Sequence, residues 1–473
     1  MRTELFIGGV WREGERRIDV MNPATGSPCA TVSVASIDDA LDAVRAAETA
    51  FPSWRSTAPR TRGEVLRRAF ELMVAEEDQL AHTITTEMGK VLSDSRAEVR
   101  YAAEFFRWFS EEAVRIDGDY RRAPGGANWL MVSRQPVGPA LLATPWNFPA
   151  AMATRKIGPA LAAGCTVVLK HAHETPLTAL AIADVLERAG APAGTVNVVT
   201  TDRPGEAVSA MLSSGSIRKL SFTGSTRVGS LLLAQAAARV INCSMELGGN
   251  APFIVFDDAD VAAAVDGAMV AKMRNGGAAC TAANRFLVHE RIESEFSSAL
   301  VARMSALVLG DGRDPATTLG PLISAAQQAR VDGLVRAAVD AGALVACGGR
   351  PTVSPAYGYE PTVLTNVSRD NPILQEEVFG PVAPIVRFGD GDDVVAMAND
   401  VEHGLVSYVF GGDLGRVMRT AEAMESGMVG VNRGLVSDPA APFGGMKASG
   451  IGREGAHEGL LAFLETKYVA GSW

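Results

Sequence analysis

The chain has 473 residues, 47% hydrophobic and 21% charged, with a net charge of −10 at pH 7 and a pI near 5.3. That size allows about three domains around a substantial core. The acidic balance argues against nucleic acid or an anionic membrane as partner, because either would call for a basic surface.

No run reaches the ~18 apolar residues of a membrane span, and MRTELFIGGVW at the N-terminus lacks a signal-peptide layout, so a cytoplasmic protein is expected. Five widely spaced cysteines without a CxxC pair suggest neither a disulfide framework nor a metal site.

The segment up to Pro23 reads as short strands and turns, and three helices follow. A capping box, Ser36-Ile-Asp-Asp39, opens the first, and Pro52 marks its stop. Leu66, Phe70, Met73 and Val74 form a stripe on the second; the third spans about 93–115, with Val99, Ala103 and Phe106 on one face. Alternation over 120–137, between Gly125-Gly126 and Pro136, predicts a hairpin.

From Pro139 onward, short apolar runs at 140–143, 166–169, 195–199, 219–222 and 240–245 alternate with helical ones. Repeated βα units predict an α/β, doubly wound parallel sheet, whose ligands bind beyond the carboxyl ends of its strands. The residues expected there are Thr144, Pro145, Trp146 and Asn147 after the first strand, Lys170 after the second and Thr223, Gly224 and Ser225 after the fourth. Gly224 and Gly229 enclose a helix start whose free N–H groups suit a diphosphate, with Ser225 as a further donor. Their spacing is not GxGxxG, so alone they fit a plain strand-to-helix turn equally well.

After Pro252 a strand at 253–256, a helix from Asp260 and helices at 290–308 and 325–341 predict a second α/β domain; 465–469 reads as a final strand. The stretch 273–285, MRNGGAACTAANR, places Cys280 after small residues that leave its sulfur open on one side. A thiol of ordinary pKa, about 8.5, is mostly protonated at neutral pH and needs a base or a positive neighbour. Glu246, in SMELGGN, is the candidate base. Taken singly, Cys280 fits a small buried hydrophobe and Asn147 a turn residue between prolines.

TPWNFP at 144–149, FTGST at 222–226, MELGGN at 245–250, RNGGAACTAANR at 274–285, EEVFGPV at 376–382 and PFGGMKASGIGRE at 442–454 together resemble the aldehyde dehydrogenase superfamily, in order and over nearly the whole chain. The resemblance implies a Rossmann-like cofactor domain (1–119 and 138–246), a catalytic domain (247–440) and a small β oligomerisation extension (120–137 and 441–473), hence a homodimer or homotetramer. It also implies that Thr144, Pro145, Trp146, Lys170, His173, Thr223, Gly224, Ser225, Gly229 and Leu247 serve NAD(P). Glu377 is implied to hold the nicotinamide ribose, and Phe379 to pack beside the ring.

Attack by the Cys280 thiolate on an aldehyde makes an alkoxide, which the Asn147 side-chain N–H and the Cys280 backbone N–H are placed to meet. Hydride transfer to NAD(P) leaves a thioester, and Glu246 activates the water that hydrolyses it. Arg155, Arg274 and Ser437 resemble the residues with which succinate-semialdehyde dehydrogenases hold the distal carboxylate of their substrate, a task suited to guanidinium groups. The expected reaction is therefore NAD(P)-dependent oxidation of succinate semialdehyde. Glutarate semialdehyde, another aliphatic aldehyde, or cofactor-independent cysteine ester hydrolysis are the alternatives. Ala282 stands where many such dehydrogenases carry a second, redox-switch cysteine. His173 replaces the Glu or Ser that reads the adenine ribose, and a partly protonated imidazole favours NADP over NAD.

Overall fold

Two short hairpins open the chain: β1 (Leu5–Ile7) with β2 (Val10–Arg12), and β3 (Arg16–Asn22) with β4 (Ser27–Val34). The computed structural model describes residues 2–473, and no helix among them is long and apolar enough to cross a membrane. Helices α1 (Ile37–Ser56), α2 (Pro59–Ala75), α3 (Glu77–Met88) and α4 (Leu92–Glu112) follow. The Ser36 capping box is present, Ser36 Oγ accepting from Asp39 N at 3.1 Å and Asp39 Oδ2 from Ser36 N at 2.9 Å.

Three expectations fail in this region. Pro52 does not stop α1, which runs through it to Ser56. There are four helices rather than three, because 77–88 is helical. Val74 sits on the exposed side of α2 rather than on the core stripe. The hairpin at 120–137 is β5 (Asp119–Arg122) paired antiparallel with β6 (Trp129–Pro136).

The repeated βα units then appear in order: β7 (Ala140–Ala143), α5 (Pro149–Ala163), β8 (Val167–Lys170), α6 (Pro176–Arg188), β9 (Val196–Val199), α7 (Pro204–Ser213), β10 (Lys219–Thr223), α8 (Thr226–Ala237) and β11 (Asn242–Glu246). These five strands are parallel, in the spatial order β9-β8-β7-β10-β11. The order reverses between β7 and β10, so the crevice of a doubly wound sheet falls between the loops that follow those two strands. Val240, expected in the last strand, is instead a turn residue with φ 53°, almost fully exposed.

The second half contains β12 (Ala251–Val255), α9 (Val261–Met273), β13 (Ala283–His289), α10 (Glu293–Ser305), α11 (Ala325–Asp340), β14 (Leu344–Cys347), β15 (Thr362–Thr365), β16 (Val382–Phe388), α12 (Val394–Asn399), β17 (His403–Gly404), β18 (Val406–Phe410), α13 (Leu414–Ala423) and β19 (Met428–Val431). Seven of its strands form a second sheet, β14-β15-β16-β13-β12-β18-β19, parallel except at β14. Only four residues, 247–250, separate β11 from β12. The carboxyl edge of the first sheet therefore abuts the amino edge of the second, where the loop before β13 carries Cys280.

The C-terminal stretch is divided. Strand β20 (Met446–Lys447) pairs with β17, β21 (Gly450–Ile451) adds to β11, and α14 (Ala456–Leu461) packs on α4 and α5. Of the residues expected in the extension from 441 onward, only β22 (Leu464–Gly471) joins the hairpin, giving a three-stranded sheet β22-β6-β5.

Candidate active site

The turn that presents Cys280 is made by backbone hand. Asn275, Gly276 and Gly277 all have positive φ (56°, 59° and 80°), so Asn-Gly-Gly supplies three successive left-handed residues that other side chains resist. The two glycines thus serve the turn more than the openness read from the sequence. Gly249 serves an approach instead: a Cβ there would lie 2.5 Å from the Cys280 carbonyl oxygen. The 247–250 link and the cysteine loop are consequently in close contact.

Cys280 is half-buried and borders a cavity of about 280 Å³ between the two sheets. Pro145, Trp146 and Asn147 from the loop after β7 share its wall with Thr223, Gly224 and Ser225 from the loop after β10, and with Leu247, Glu377 and Phe379. Nine sequence-predicted residues thus meet the thiol at the crevice that strand order defines. Trp146 and Phe379 stand edge to face, 5.4 Å between centroids. Phe379 has φ 54°, a strained conformation for an aromatic residue, held by Gln327 Nε2 donating to its carbonyl at 3.0 Å.

Thr144, Lys170, His173 and Gly229 are not on this wall. Thr144 is buried and donates its N–H to the Lys170 carbonyl at 3.1 Å, tying the ends of β7 and β8 together. His173 is exposed and lies 3.4 Å from Glu174. Gly229 is inside α8 under Leu247, whose side chain a Cβ would strike, so its missing side chain permits helix–strand contact. Ser225 is the N-cap of α8, accepting from Val228 N at 3.4 Å, and leaves the helix mouth facing the cavity. The Thr223 hydroxyl is buried without a partner there. An unsatisfied hydroxyl, a helix N-terminus and a carboxylate are the donor and acceptor set a dinucleotide requires.

Asn147 is buried and donates from Nδ2 to the Ala278 carbonyl at 3.0 Å, leaving its second amide hydrogen for the cavity. Glu246 ends β11, 2% exposed, with neither carboxylate oxygen hydrogen-bonded. Burial drives its pKa well above the ordinary carboxylate range, and the nearby Glu454 carboxylate adds to the rise while Arg155 and Lys156 oppose it. Burial likewise pushes the Cys280 thiol up to about 12, against the pull of Arg155. Such a thiol is protonated at neutral pH and ionises only by handing its proton to a base. Glu377 is raised to about 7 by burial and accepts from Gly249 N at 3.4 Å.

The three residues expected to hold a carboxylate gather around Tyr101, which the sequence reading did not single out. Its phenol lies near Arg155 and Ser437, and its ring lies under the Arg274 guanidinium, 5.6 Å from the centroid; Phe148 flanks Arg274 at 4.8 Å. Arg274 makes no salt bridge among the described residues. Arg155 differs: it is fully buried, its Nε 2.6 Å from Glu454 Oε2, and stacked 4.2 Å over Phe443. Lys156 also pairs with Glu454. Glu454 closed the last quoted motif but carried no assigned role there. Tyr101 belongs to no motif, and its helix spacing matches the core residue Phe105.

A doubly wound sheet whose crevice opens onto a cysteine and a free amide defines an α/β protein that sets a thiol beside a dinucleotide-type site. The chain belongs to the aldehyde dehydrogenase family, whose model matches residues 11–469, and is an oxidoreductase. It is 52% identical to a succinate-semialdehyde dehydrogenase of Paenarthrobacter nicotinovorans, over 93% of this chain and 98% of that one. It is 46% identical to a glutarate-semialdehyde dehydrogenase of Pseudomonas putida, over 99% and 97%. Among solved structures, an Escherichia coli NADP-dependent enzyme superposes with a TM-score of 0.98 at 46% identity, covering 100% of this chain and 98% of that one.

Proposed function

We propose that the protein oxidises succinate semialdehyde to succinate with NAD(P), through a thioester on Cys280. The observation that carries the substrate is the partnerless Arg274 guanidinium grouped with Arg155, Tyr101 and Ser437 near the thiol. A distal carboxylate gives that cation a counter-ion and charge-assisted hydrogen bonds.

In this reading Glu246 takes the thiol proton, and the Cys280 sulfur adds to the aldehyde carbon. The resulting oxyanion accepts from Asn147 Nδ2 and the Cys280 backbone N–H. NAD(P), held by Trp146, Thr223, Ser225, Glu377 and Phe379, supplies the hydride acceptor that makes the adduct a thioester. Glu246 then removes a proton from the water that attacks the thioester carbonyl, and succinate leaves as the sulfur is released. NADP is favoured over NAD because His173, after β8, puts no carboxylate where a 2′-phosphate would be repelled; Glu174, 3.4 Å from His173, works against it and keeps the preference small. The same reading makes the protein a cytoplasmic homo-oligomer built through the β22-β6-β5 sheet.

The relative of Pseudomonas putida favours a second substrate, one methylene longer. Steady-state kinetics with succinate semialdehyde, glutarate semialdehyde and butanal, each with NAD and NADP, tests both. Succinate semialdehyde is expected to exceed butanal in kcat/KM by about 10²-fold, the value of one buried charge-assisted contact; equal values would remove the carboxylate assignment. Cys280→Ser is expected to abolish NAD(P)H formation and keep dinucleotide binding. Retained turnover would end the thioester mechanism and leave room for cofactor-independent chemistry.

A further inference from the structure

Beneath the Asn147 loop lies an ion pair that the mechanism above does not use. Lys90, at the α3–α4 junction, and Glu98, on α4, are both buried, 3% and 1% exposed, with Nζ 2.6 Å from Glu98 Oε2. Lys90 Nζ also donates to the Asn147 main-chain carbonyl at 2.8 Å. The other Glu98 oxygen accepts from Ala150 N at 2.8 Å and Ala151 N at 3.3 Å, in the first turn of α5. The pair therefore grips the loop at Asn147 and immediately after it.

Asn275 closes the arrangement from the other side. Its Nδ2 donates to the Asn147 carbonyl at 2.8 Å and to the Ala278 carbonyl at 2.9 Å, and Ala278 is the residue that accepts from Asn147 Nδ2. Asn147 is thus fixed through both its main chain and its amide, and the second fixing point belongs to the cysteine loop. Replacing a buried ion pair by apolar residues is often neutral or stabilising, so its presence is better explained by geometry than by stability.

We propose that Lys90, Glu98 and Asn275 are positioning residues that hold the Asn147 amide at the distance and angle the oxyanion needs relative to Cys280. This rests on the oxyanion assignment of Asn147. A 1 Å displacement at a reacting centre can cost about 10²-fold in rate, and loss of one oxyanion donor costs ~10²–10³. The three side chains touch neither substrate nor cofactor; Lys90 and Glu98 act on rate through Asn147, and the Asn275 amide does so while its backbone shapes the cysteine turn, which Asn275→Gly keeps.

A double-mutant cycle tests the claim, read as the single-turnover rate of NAD(P)H formation. Lys90→Met/Glu98→Gln removes both charges and keeps an acceptor for Ala150 N. Asn275→Gly suits the left-handed backbone there and provides an independent arm if the first variant does not fold. Each is expected to slow the wild-type burst about 10- to 10²-fold, to slow the Asn147→Ala burst by less than about 2-fold, and to leave dinucleotide Kd within about 2-fold. Equal losses in both backgrounds would overturn the positioning role and leave Asn147 intact. A burst in Asn147→Ala as fast as wild type would instead overturn the oxyanion assignment itself, and the positioning role with it.

Discussion

Arg274 and Arg155 carry the same charge a short distance apart, yet their contacts assign them different work. Arg274 rests on the Tyr101 and Phe148 rings with no carboxylate partner, whereas Arg155 is sealed against Glu454. Hydrogen bonds to charged groups contribute about 1.5–3 kcal/mol, so Arg274→Ala is expected to raise KM for succinate semialdehyde about 10- to 150-fold. KM for butanal should stay within about 2-fold and thermal stability should hold. Arg155→Ala leaves Glu454 short of a buried partner, a loss of about 3–5 kcal/mol, and should lower the thermal midpoint before its kinetics can be read. Matched KM increases on both aldehydes in Arg274→Ala would show that the funnel, not the carboxylate, had been disturbed. Glu246 supports a pH prediction. As a base it must be ionised, and its pKa is raised, so thioester hydrolysis should increase with pH along a limb above the ordinary carboxylate range. Glu454→Gln removes a neighbouring negative charge and frees the Arg155 cation, both of which lower the Glu246 pKa, so that limb should move to lower pH. A limb that does not move, in single-turnover hydrolysis, would identify another group as the base. Cys280, Asn147 and Glu246 were legible because each lies in a contiguous motif. Tyr101 and Lys90 lie in no motif, and Glu454 lies in one without a role, because all three act across long sequence separations through side-chain contacts that no local pattern records.

Among the elements, the helix expected to end at Pro52 shows tertiary burial overriding a local signal. Proline in a helix interior costs ~3 kcal/mol through a lost hydrogen bond and a ring clash, and α1 nonetheless continues to Ser56. Trp54, 1% exposed, lies beyond the proline, and burying it outweighs that cost. Pro52→Ala should therefore raise the thermal midpoint, while Trp54→Ala should cost about 3–5 kcal/mol; a lower midpoint for Pro52→Ala would mean the proline shapes the turn rather than strains it. Helix α3 went unread for a related reason: its buried face includes Thr83, Thr85 and Glu87, which dilute the apolar period. Glu87 is buried to accept from Leu177 N at 2.7 Å and Thr178 N at 2.9 Å at the start of α6. Strand starts shifted where β-branched residues such as Val240 sit in turns. The parallel sheet itself was legible, because both faces of its strands are covered and their apolar runs are unbroken.

At the scale of the whole molecule, the order β9-β8-β7-β10-β11 and the short link after β11 bring two sheets edge to edge, and that meeting makes the site. Sequence motifs pointed to both partners, but not to the division of the C-terminal stretch between β21, which extends the first sheet, and β22, which lies in another. The β22-β6-β5 sheet exposes Tyr120, Met131, Tyr468 and Val469 and leaves β22 with a free edge. Large apolar side chains on an uncovered sheet mark an interaction surface, and a free edge strand invites pairing. Deleting residues 464–473 removes the eight paired positions from Leu464↔Pro136 to Gly471↔Trp129 and leaves β5–β6 as a two-stranded hairpin, marginal on its own. If the proposed homo-oligomer forms through this sheet, the truncated chain loses that assembly, seen as monomer mass in light scattering. It should still bind dinucleotide, because the cavity beside Cys280 draws no wall from this sheet. An unchanged oligomeric mass would place the subunit contact elsewhere on the surface.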